Sequence, residues 1–414
     1  MNSILHTHVV VLGAGAAGVA AAVAASRNGS KVILIERNAY PGGKATAAEV
    51  GTICGLYKFS KSEQSTYIVK GFAKEFAETL KNLSGTKPLN SKEGLHYLPY
   101  NIDDFKDLCI ALLKENNIVT YFNATLNDIN IENETISTAL ITAGDNSRTL
   151  RLKSIVDCSG DSIISRAANL PILKNDQYQA AAQVFTIQHV SEENEARLGM
   201  ILMKALRSAI DEKKLPDHFD RVYIVQGSLI NNRVSLKVGI PLAVTHDPGN
   251  AEALKESAHK FVETLADFLI NNVTAFKNAS VQHIADEPGI RVGPRTIGNY
   301  ILTEEDVMSC RKFDDAIANA SWPIEEWEQH RRVKMRYFNL DDFYQVPVGC
   351  LQSKAIKNLF MAGRNISATD TAIASARVMG TCLQTGYAAG LLAAALSAGL
   401  PEIEAVKTIQ NAQL

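Results

Sequence analysis

The chain has 414 residues, 46% of them hydrophobic and 21% charged, with a formal charge of −2, enough to bury a large core and to form two or three domains. Acidic and basic residues are mixed along it, which gives no electrostatic reason to expect nucleic acid or an anionic membrane surface as a partner. Six scattered cysteines, Cys54, Cys109, Cys158, Cys310, Cys350 and Cys382, make no C-x-x-C pair of the redox or zinc-binding sort. No metal site is expected, and a reducing cytoplasm is the expected home.

The opening stretch, MNSILHTHVVVLGAG, lacks a basic n-region and a separate apolar segment, so no signal peptide is read. Its apolar run, Val9 to Leu12, is instead a strand of the kind covered on both faces in a parallel sheet. The strand feeds Gly13-Ala14-Gly15-Ala16-Ala17-Gly18, a G-x-G-x-x-G match. Ala-rich sequence from Ala16 to Ser26 then predicts a helix stopped by Asn28-Gly29. Lys31 to Ile35 forms a second strand that ends in Glu36. In such a βαβ unit Gly13 permits the tight turn, Gly15 lets backbone approach a pyrophosphate, and Gly18 lets helix and strand pack closely. The free N–H groups of the helix start favour the pyrophosphate charge. Glu36 suits a ribose hydroxyl and argues against a 2′-phosphate. This unit alone does not separate NAD from FAD.

In ERNAYPGGKAT, Gly42-Gly43 makes a second spot without side chains, followed by small and hydroxyl residues through Thr46. A cofactor that continues past the pyrophosphate needs such a strip. Two helices with apolar residues at helical spacing follow before Asn117, the second starting near Asp103-Asp104. Alternating sequence from Val119 predicts antiparallel strands, and Ser154 to Leu170 reads as strand, Cys158-Ser159-Gly160-Asp161 turn and helix. From about 171 to 340 we read a second α+β unit. It has amphipathic helices near 192–214 and 251–273, strands joined at Asn231-Asn232, and a capping pair, Thr303 and Asp306. His283 and His330 read as surface histidines, and Cys54 as a buried, inert thiol. Near the end, the strand Leu359 to Ala362 stops at Gly363-Arg364, and a long Ala-rich helix begins near Gly380-Thr381. Its apolar tract, Gly386 to Leu400, falls short of the roughly 20 residues that span a bilayer, and reads as a buried helix. There is no internal repeat, no second G-x-G-x-x-G for a nicotinamide nucleotide and no low-complexity linker.

Taken in order, GAGAAG, ERNAYPGGKAT, DCSGD and NLFMAGRNISAT…ARVMGT resemble the FAD-dependent oxidoreductase family related to the fumarate reductase and succinate dehydrogenase flavoproteins. The resemblance covers the first 60 residues, about 117–170 and about 288–396. It implies an α/β, Rossmann-like FAD-binding domain from 1–170 and 341–414, with an α+β substrate or cap domain inserted at 171–340. It also implies FAD held noncovalently, because Lys44-Ala45-Thr46 offers no histidine for attachment. The implied cofactor residues begin with Gly13, Gly15, Ala16, Ala17, Gly18, Glu36 and Arg37. Gly42, Gly43, Lys44, Ala45 and Thr46 would lie beside the ribityl chain and isoalloxazine, with Ala124, Thr125, Ser159, Gly160 and Asp161 contributing further contacts. Gly363, Arg364 and Ser367 would meet the pyrophosphate or ribityl. Gly380 and Thr381 would open a helix aimed at the flavin N1–C2=O edge, where helix N–H groups favour negative charge.

Arginine suits a carboxylate substrate, since its planar guanidinium binds in bidentate fashion and stays charged. Arg377 is similar to the substrate-carboxylate arginine of fumarate reductase-like enzymes, and Arg291 and Arg295 lie in EPGIRVGPRTIGNY, a stretch that resembles an arginine-containing motif of relatives. The expected function is hydride transfer between flavin N5 and a small organic substrate that the arginines would engage through a carboxylate. A flavin monooxygenase, or a flavin-binding subunit serving a protein partner, stays open.

Overall fold

The computed structural model describes residues 4–247, 249–328 and 333–414; His330 lies outside them. Val9–Leu12 pairs in parallel with Val32–Ile35 on one side and Ser154–Asp157 on the other. Val119–Tyr121 extends the sheet beyond the second strand, and Leu359–Met361 beyond the third. All residues of the three central strands and of Leu359–Met361 are buried, which is why they read as continuous apolar runs. This is the expected α/β, Rossmann-like sheet. Its five strands bring the two ends of the chain side by side.

Connections decide where a site can form. The glycine turn follows Leu12, Glu36 follows Ile35, Cys158–Asp161 follows Asp157 and Gly363 lies two residues after Met361. All four leave the carboxyl ends of neighbouring parallel strands, the edge at which open α/β sheets bind ligands.

Helices Ala16–Arg27 and Met379–Ala398 pack together on one face of the sheet. Their backbones touch at glycines. A Cβ on Gly386 would stand 2.1 Å from the Ala17 carbonyl oxygen, and one on Gly390 2.1 Å from that of Ala21. The opposite face is covered by an antiparallel meander, Ala124–Glu132, Thr135–Ala143 and Asn146–Arg151, which buries Ile136, Ile141 and Leu150 against Val10, Leu12, Ile33 and Ile35. The two packing helices form at Gly71–Ser84 and Ile102–Glu115. Asn101 caps the second by accepting the Asp103 N–H, and Asp103 and Asp104 occupy its first turn, where negative charge is favoured.

The inserted part is a four-stranded antiparallel sheet, in the order Val222–Ile224, Arg233–Gly239, Ala182–Gln188 and Ser280–Ile284. Helices Glu195–Asp211 and Asn250–Asn272 cover one of its faces through Leu198, Leu202, Leu206, Phe261, Leu265 and Leu269. Asn231 and Asn232 take φ of 51° and 61°, the left-handed pair that a two-residue hairpin turn needs. This unit is smaller than the expected 171–340. Its separate core runs from Phe185 to Ala279, whereas Val292, Leu302, Val307, Ile317 and Ile324 return to the main core. Apolar periodicity marks a buried face without naming the partner that buries it, so the sequence reading joined the two stretches. Within the returning segment Thr303 and Asp306 close the expected capping box. No single helix among the described residues is long and apolar enough to cross a membrane.

Candidate active site

At the glycine turn each missing side chain has a measurable consequence. Gly13 has φ +95°, and a Cβ there would stand 2.7 Å from the Cys158 carbonyl oxygen. On Gly18 a Cβ would lie 1.8 Å from the Gly13 carbonyl oxygen, so helix and turn could not close. Gly15 differs: the nearest atom to its absent Cβ is the Cα of Gly43, 3.9 Å away. That glycine faces open space. The Gly42 N–H donates to the Ala14 carbonyl at 2.8 Å, and this joins the two glycine motifs into one wall.

Beyond the wall lies an open groove. Gly13, Gly15, Ala16, Ala17, Glu36, Arg37, Gly42, Gly43, Lys44 and Ala45 line one side, and Ser159, Gly160, Gly363, Arg364, Arg377, Met379 and Cys382 complete it. The Glu36 carboxylate is buried at its floor, accepting the N–H of Ala14 at 2.6 Å and of Asn38 at 2.9 Å. Burial raises its carboxyl above the usual range, and those two N–H groups oppose the rise. Arg37 and Lys44 both pair with Glu287, which they hold down to about 2 against the effect of its burial. Arg364 lies flat over Gly160, where a Cβ would come within 2.7 Å of the guanidinium. It donates to the Ile290 carbonyl at 2.9 Å and stands 3.6 Å from Asp161.

Two helix starts open on this groove. Ala16 and Ala17 belong to one; Met379 and Cys382 belong to the other, which Val378 begins without a side-chain cap. The second helix meets Asp370–Ala376 at a 96° bend, and Arg377 occupies that corner. Its Nη2 donates to the Glu325 carbonyl at 3.2 Å and lies 3.5 Å from Gln179 Oε1, while its Nε is buried without a partner among the described residues.

Next to Arg377 lies a cluster the sequence reading missed. Glu325 accepts the indole N–H of both tryptophans of the chain, Trp322 at 3.0 Å and Trp327 at 2.7 Å. Arg291 sits 4.1 Å from the Trp327 ring centre and donates to the Ala180 carbonyl. Lys237 lies 5.0 Å from the same ring and 5.9 Å from that of Tyr223. Burial would raise the Glu325 carboxyl; Arg377, the Trp322 N–H, Arg291 and Lys237 outweigh it and hold the group below its usual range. Burial pushes the nearby Cys54 thiol up to about 12, with Glu325 adding to the effect, so Cys54 stays protonated. Three cations thus act on one carboxylate, none of them in a direct ion pair with it among the described residues. One signal for this was available, two tryptophans flanking Glu325-Glu326 within six residues.

A model of the FAD dependent oxidoreductase family matches residues 8–412. The chain belongs to that family. No curated protein matches it. Among solved structures it is similar to the anhydrotetracycline hydroxylase OxyS from Streptomyces rimosus, at TM-score 0.52 and 11% identity, covering 98% of this chain and 65% of that one. BexE, from work on oxidation during BE-7585A biosynthesis, gives 0.51 and 14%, with the same two coverages. A geranylgeranyl bacteriochlorophyll reductase-like protein from Thermoplasma acidophilum gives 0.48 and 11%, over 99% of this chain and 83% of that one. At such identities these are likenesses of fold. The protein is an FAD-dependent enzyme.

The residues present fit FAD. Open space at Gly15, the Gly160 surface under Arg364, the buried Glu36 carboxylate and two uncapped helix starts suit a pyrophosphate with a ribose on one side and a flavin on the other. Several expected contacts stand elsewhere. Thr46 spends its hydroxyl on the Pro41 and Gly43 carbonyls and braces that turn. Ser367 is buried behind the groove, its N–H on the Cys350 carbonyl, because the chain runs inward after the Gly363 turn. Gly380 packs on Gly55, where a Cβ would meet the carbonyl oxygen at 2.4 Å, and the neighbouring Thr381 hydroxyl is buried with no partner among the described residues. Ala124 donates its N–H to the Glu36 carbonyl at 2.9 Å but, like the exposed Thr125, lies outside the groove lining. Arg295 is corrected outright as a substrate ligand. It is 1% exposed, and its three guanidinium nitrogens bond the carbonyls of Ala368 and Gly293 and the Asp370 carboxylate. His283 pairs with Glu49 at 2.8 Å at the surface.

Proposed function

We propose that this enzyme transfers hydride between flavin N5 and a small carboxylate-bearing substrate, held where the cap sheet meets the corner at Arg377. The observation that carries this reading is Arg377 itself: a deep guanidinium on the groove, at a helix start, with Nε unpartnered among the described residues. A buried donor of that kind is costly unless something accepts from it. Bound FAD supplies a centre that takes or gives a hydride.

The chain's own residues do the rest. In this reading Gly13, Gly15 and the first turn of Ala16–Arg27 hold the pyrophosphate, and Glu36 takes a ribose hydroxyl. Gly160, Gly363 and Arg364 supply the opposite wall. Arg377 and Arg291 anchor the carboxylate; the Glu325 backbone carbonyl and the Ala180 carbonyl each hold one of these guanidinium groups, and the Glu325 carboxylate, fixed by two indole N–H groups, supplies nearby negative charge. The sheet that includes Arg233–Gly239 would cover this corner, since its Lys237 shares the Trp327 ring with Arg291. We assign the cap to about 182–284, and the remainder to the FAD-binding domain. The narrower kinship with fumarate reductase flavoproteins rests on the four sequence segments alone.

Purified chain is expected to show a flavin spectrum or to take up added FAD. After anaerobic reduction, unsaturated acids such as crotonate, cinnamate and fumarate, quinones and oxygen are compared as oxidants. Arg377→Ala is expected to keep FAD and to slow reaction with the acids. Loss of FAD from that variant would reassign Arg377 to the cofactor, and absence of any flavin uptake would overturn the reading.

A further inference from the structure

Hydride transfer leaves one proton to manage, and the groups named so far manage none. Arginine stays protonated in proteins, Glu325 is held ionised by its neighbours, and Cys54 is held as a thiol. Besides Tyr223, which is 36% exposed, Lys237 is the titratable group left in the cluster.

Its placement follows from the strand that carries it. Along Arg233–Gly239, Val234, Leu236 and Val238 are fully buried against the cap helices, so alternation turns Ser235 and Lys237 to the opposite face. Lys237 stands between Val184 and Tyr223 on the neighbouring strands. That face is the one covering the Arg377 corner, since Lys237 and Arg291 share the Trp327 ring. The ammonium rests on two aromatic faces; it makes no direct ion pair or hydrogen bond among the described residues, and Glu325 acts on it only at longer range. Lysine, unlike arginine, can give up its charge when desolvated beside other cations.

We propose that Lys237 is the proton donor and acceptor of the reaction, working on the substrate that Arg377 and Arg291 anchor. The assignment rests on the reading of the site given above. When a substrate of the form H–C–X–H is oxidised, with X oxygen or nitrogen, the carbon gives a hydride to the flavin and X gives its proton to the neutral Lys237 amine. When a polarised double bond is reduced, hydride arrives at one carbon and the Lys237 ammonium supplies a proton to the other end. Electrons and protons balance in both directions, with FAD as the two-electron partner.

Burial first, and then Arg291 and Arg377, lower the Lys237 ammonium; Glu325 and the Cys54 side chain oppose them, and it settles at about 8. The neutral form therefore gains population as pH rises through about 8. An oxidation that needs the amine speeds up through that window, and a reduction that needs the ammonium slows down.

Two measurements test the assignment on the full FAD-loaded chain. Competitive acetylation with isotopic acetic anhydride, read peptide by peptide, gives the titration of each lysine without turnover. Lys237 is expected near pH 8, and a titration in the ordinary lysine range, about 10.4, overturns the assignment. The second uses Lys237→Arg, which keeps the positive charge, with the acid that reoxidises the reduced enzyme fastest in the oxidant comparison. A loss of kcat on the order of 100-fold or more is expected for a displaced proton donor, with KM within about threefold and the pH limb near 8 gone. Wild-type kcat, or an unchanged pH limb, sinks the proposal. Should no acid react at all, the reading of the site fails, whereas retained FAD and Arg377 dependence with an indifferent Lys237 removes this assignment alone.

Discussion

Arg377 and Arg295 lie on either side of the same short helix region and look alike in sequence, yet their surroundings separate them. Arg295 has every nitrogen engaged internally, so Arg295→Ala is expected to act on stability, as a fall in melting temperature. Removing one partner of a buried charge pair costs about 3–5 kcal/mol. Arg377 makes only long contacts. Arg377→Ala is therefore expected to leave folding and FAD binding in place and to lower kcat/KM for an acid on the order of 10- to 100-fold, the worth of a charge-assisted hydrogen bond of about 1.5–3 kcal/mol. Steady-state kinetics on the FAD-loaded variant read this directly. Glu36→Gln is expected to weaken FAD by a similar factor in a fluorescence titration, because it removes the charged acceptor facing the ribose and loosens the Ala14 and Asn38 N–H contacts. A Glu36→Gln protein with unchanged FAD affinity would remove Glu36 from the site.

At the scale of elements, the contact between Ala16–Arg27 and Met379–Ala398 sets the groove, since both helix starts open on it. Gly386 and Gly390 let the backbones meet. Gly390→Leu forces that crossing apart, and overpacking of this sort costs about 1–3 kcal/mol. We expect a melting temperature lower by several degrees together with weaker FAD binding, whereas a thermal shift with full FAD affinity would show that the groove does not depend on the crossing. These elements were legible in the sequence. Four fully buried strands read as apolar runs, glycine punctuation marked the turns, and Asn231-Asn232 gave the hairpin. The cluster of Lys237 and Glu325 was not, because alternation along a strand tells which residues share a face and nothing of what faces them. Lys237 and Trp327 stand 90 positions apart in the chain, and only folding brings them to one ring. Ser367 was misplaced for a related reason: a motif carries its residues in order, while the direction of each side chain depends on how the backbone leaves the turn.

For the whole molecule, the first and last strands of the parallel sheet are separated by more than 340 residues of chain and enclose one groove. Ligand that binds only the folded form stabilises it by about 4 kcal/mol at a thousandfold excess over Kd, so saturating FAD is expected to raise the main thermal transition, measured by calorimetry. An unmoved transition would mean that the groove does not hold the cofactor. The cap has its own core, and its contribution to the site is the sheet face that presents Lys237 to the Arg377 corner. The most direct test of this account is the anaerobic reoxidation of reduced, FAD-loaded enzyme, followed in the flavin spectrum, by crotonate, cinnamate or fumarate against the matching amides and against oxygen. We expect at least one acid to outpace its amide and oxygen, and Arg377→Ala to abolish the advantage. Reoxidation fastest with oxygen, with acid and amide alike, would contradict it.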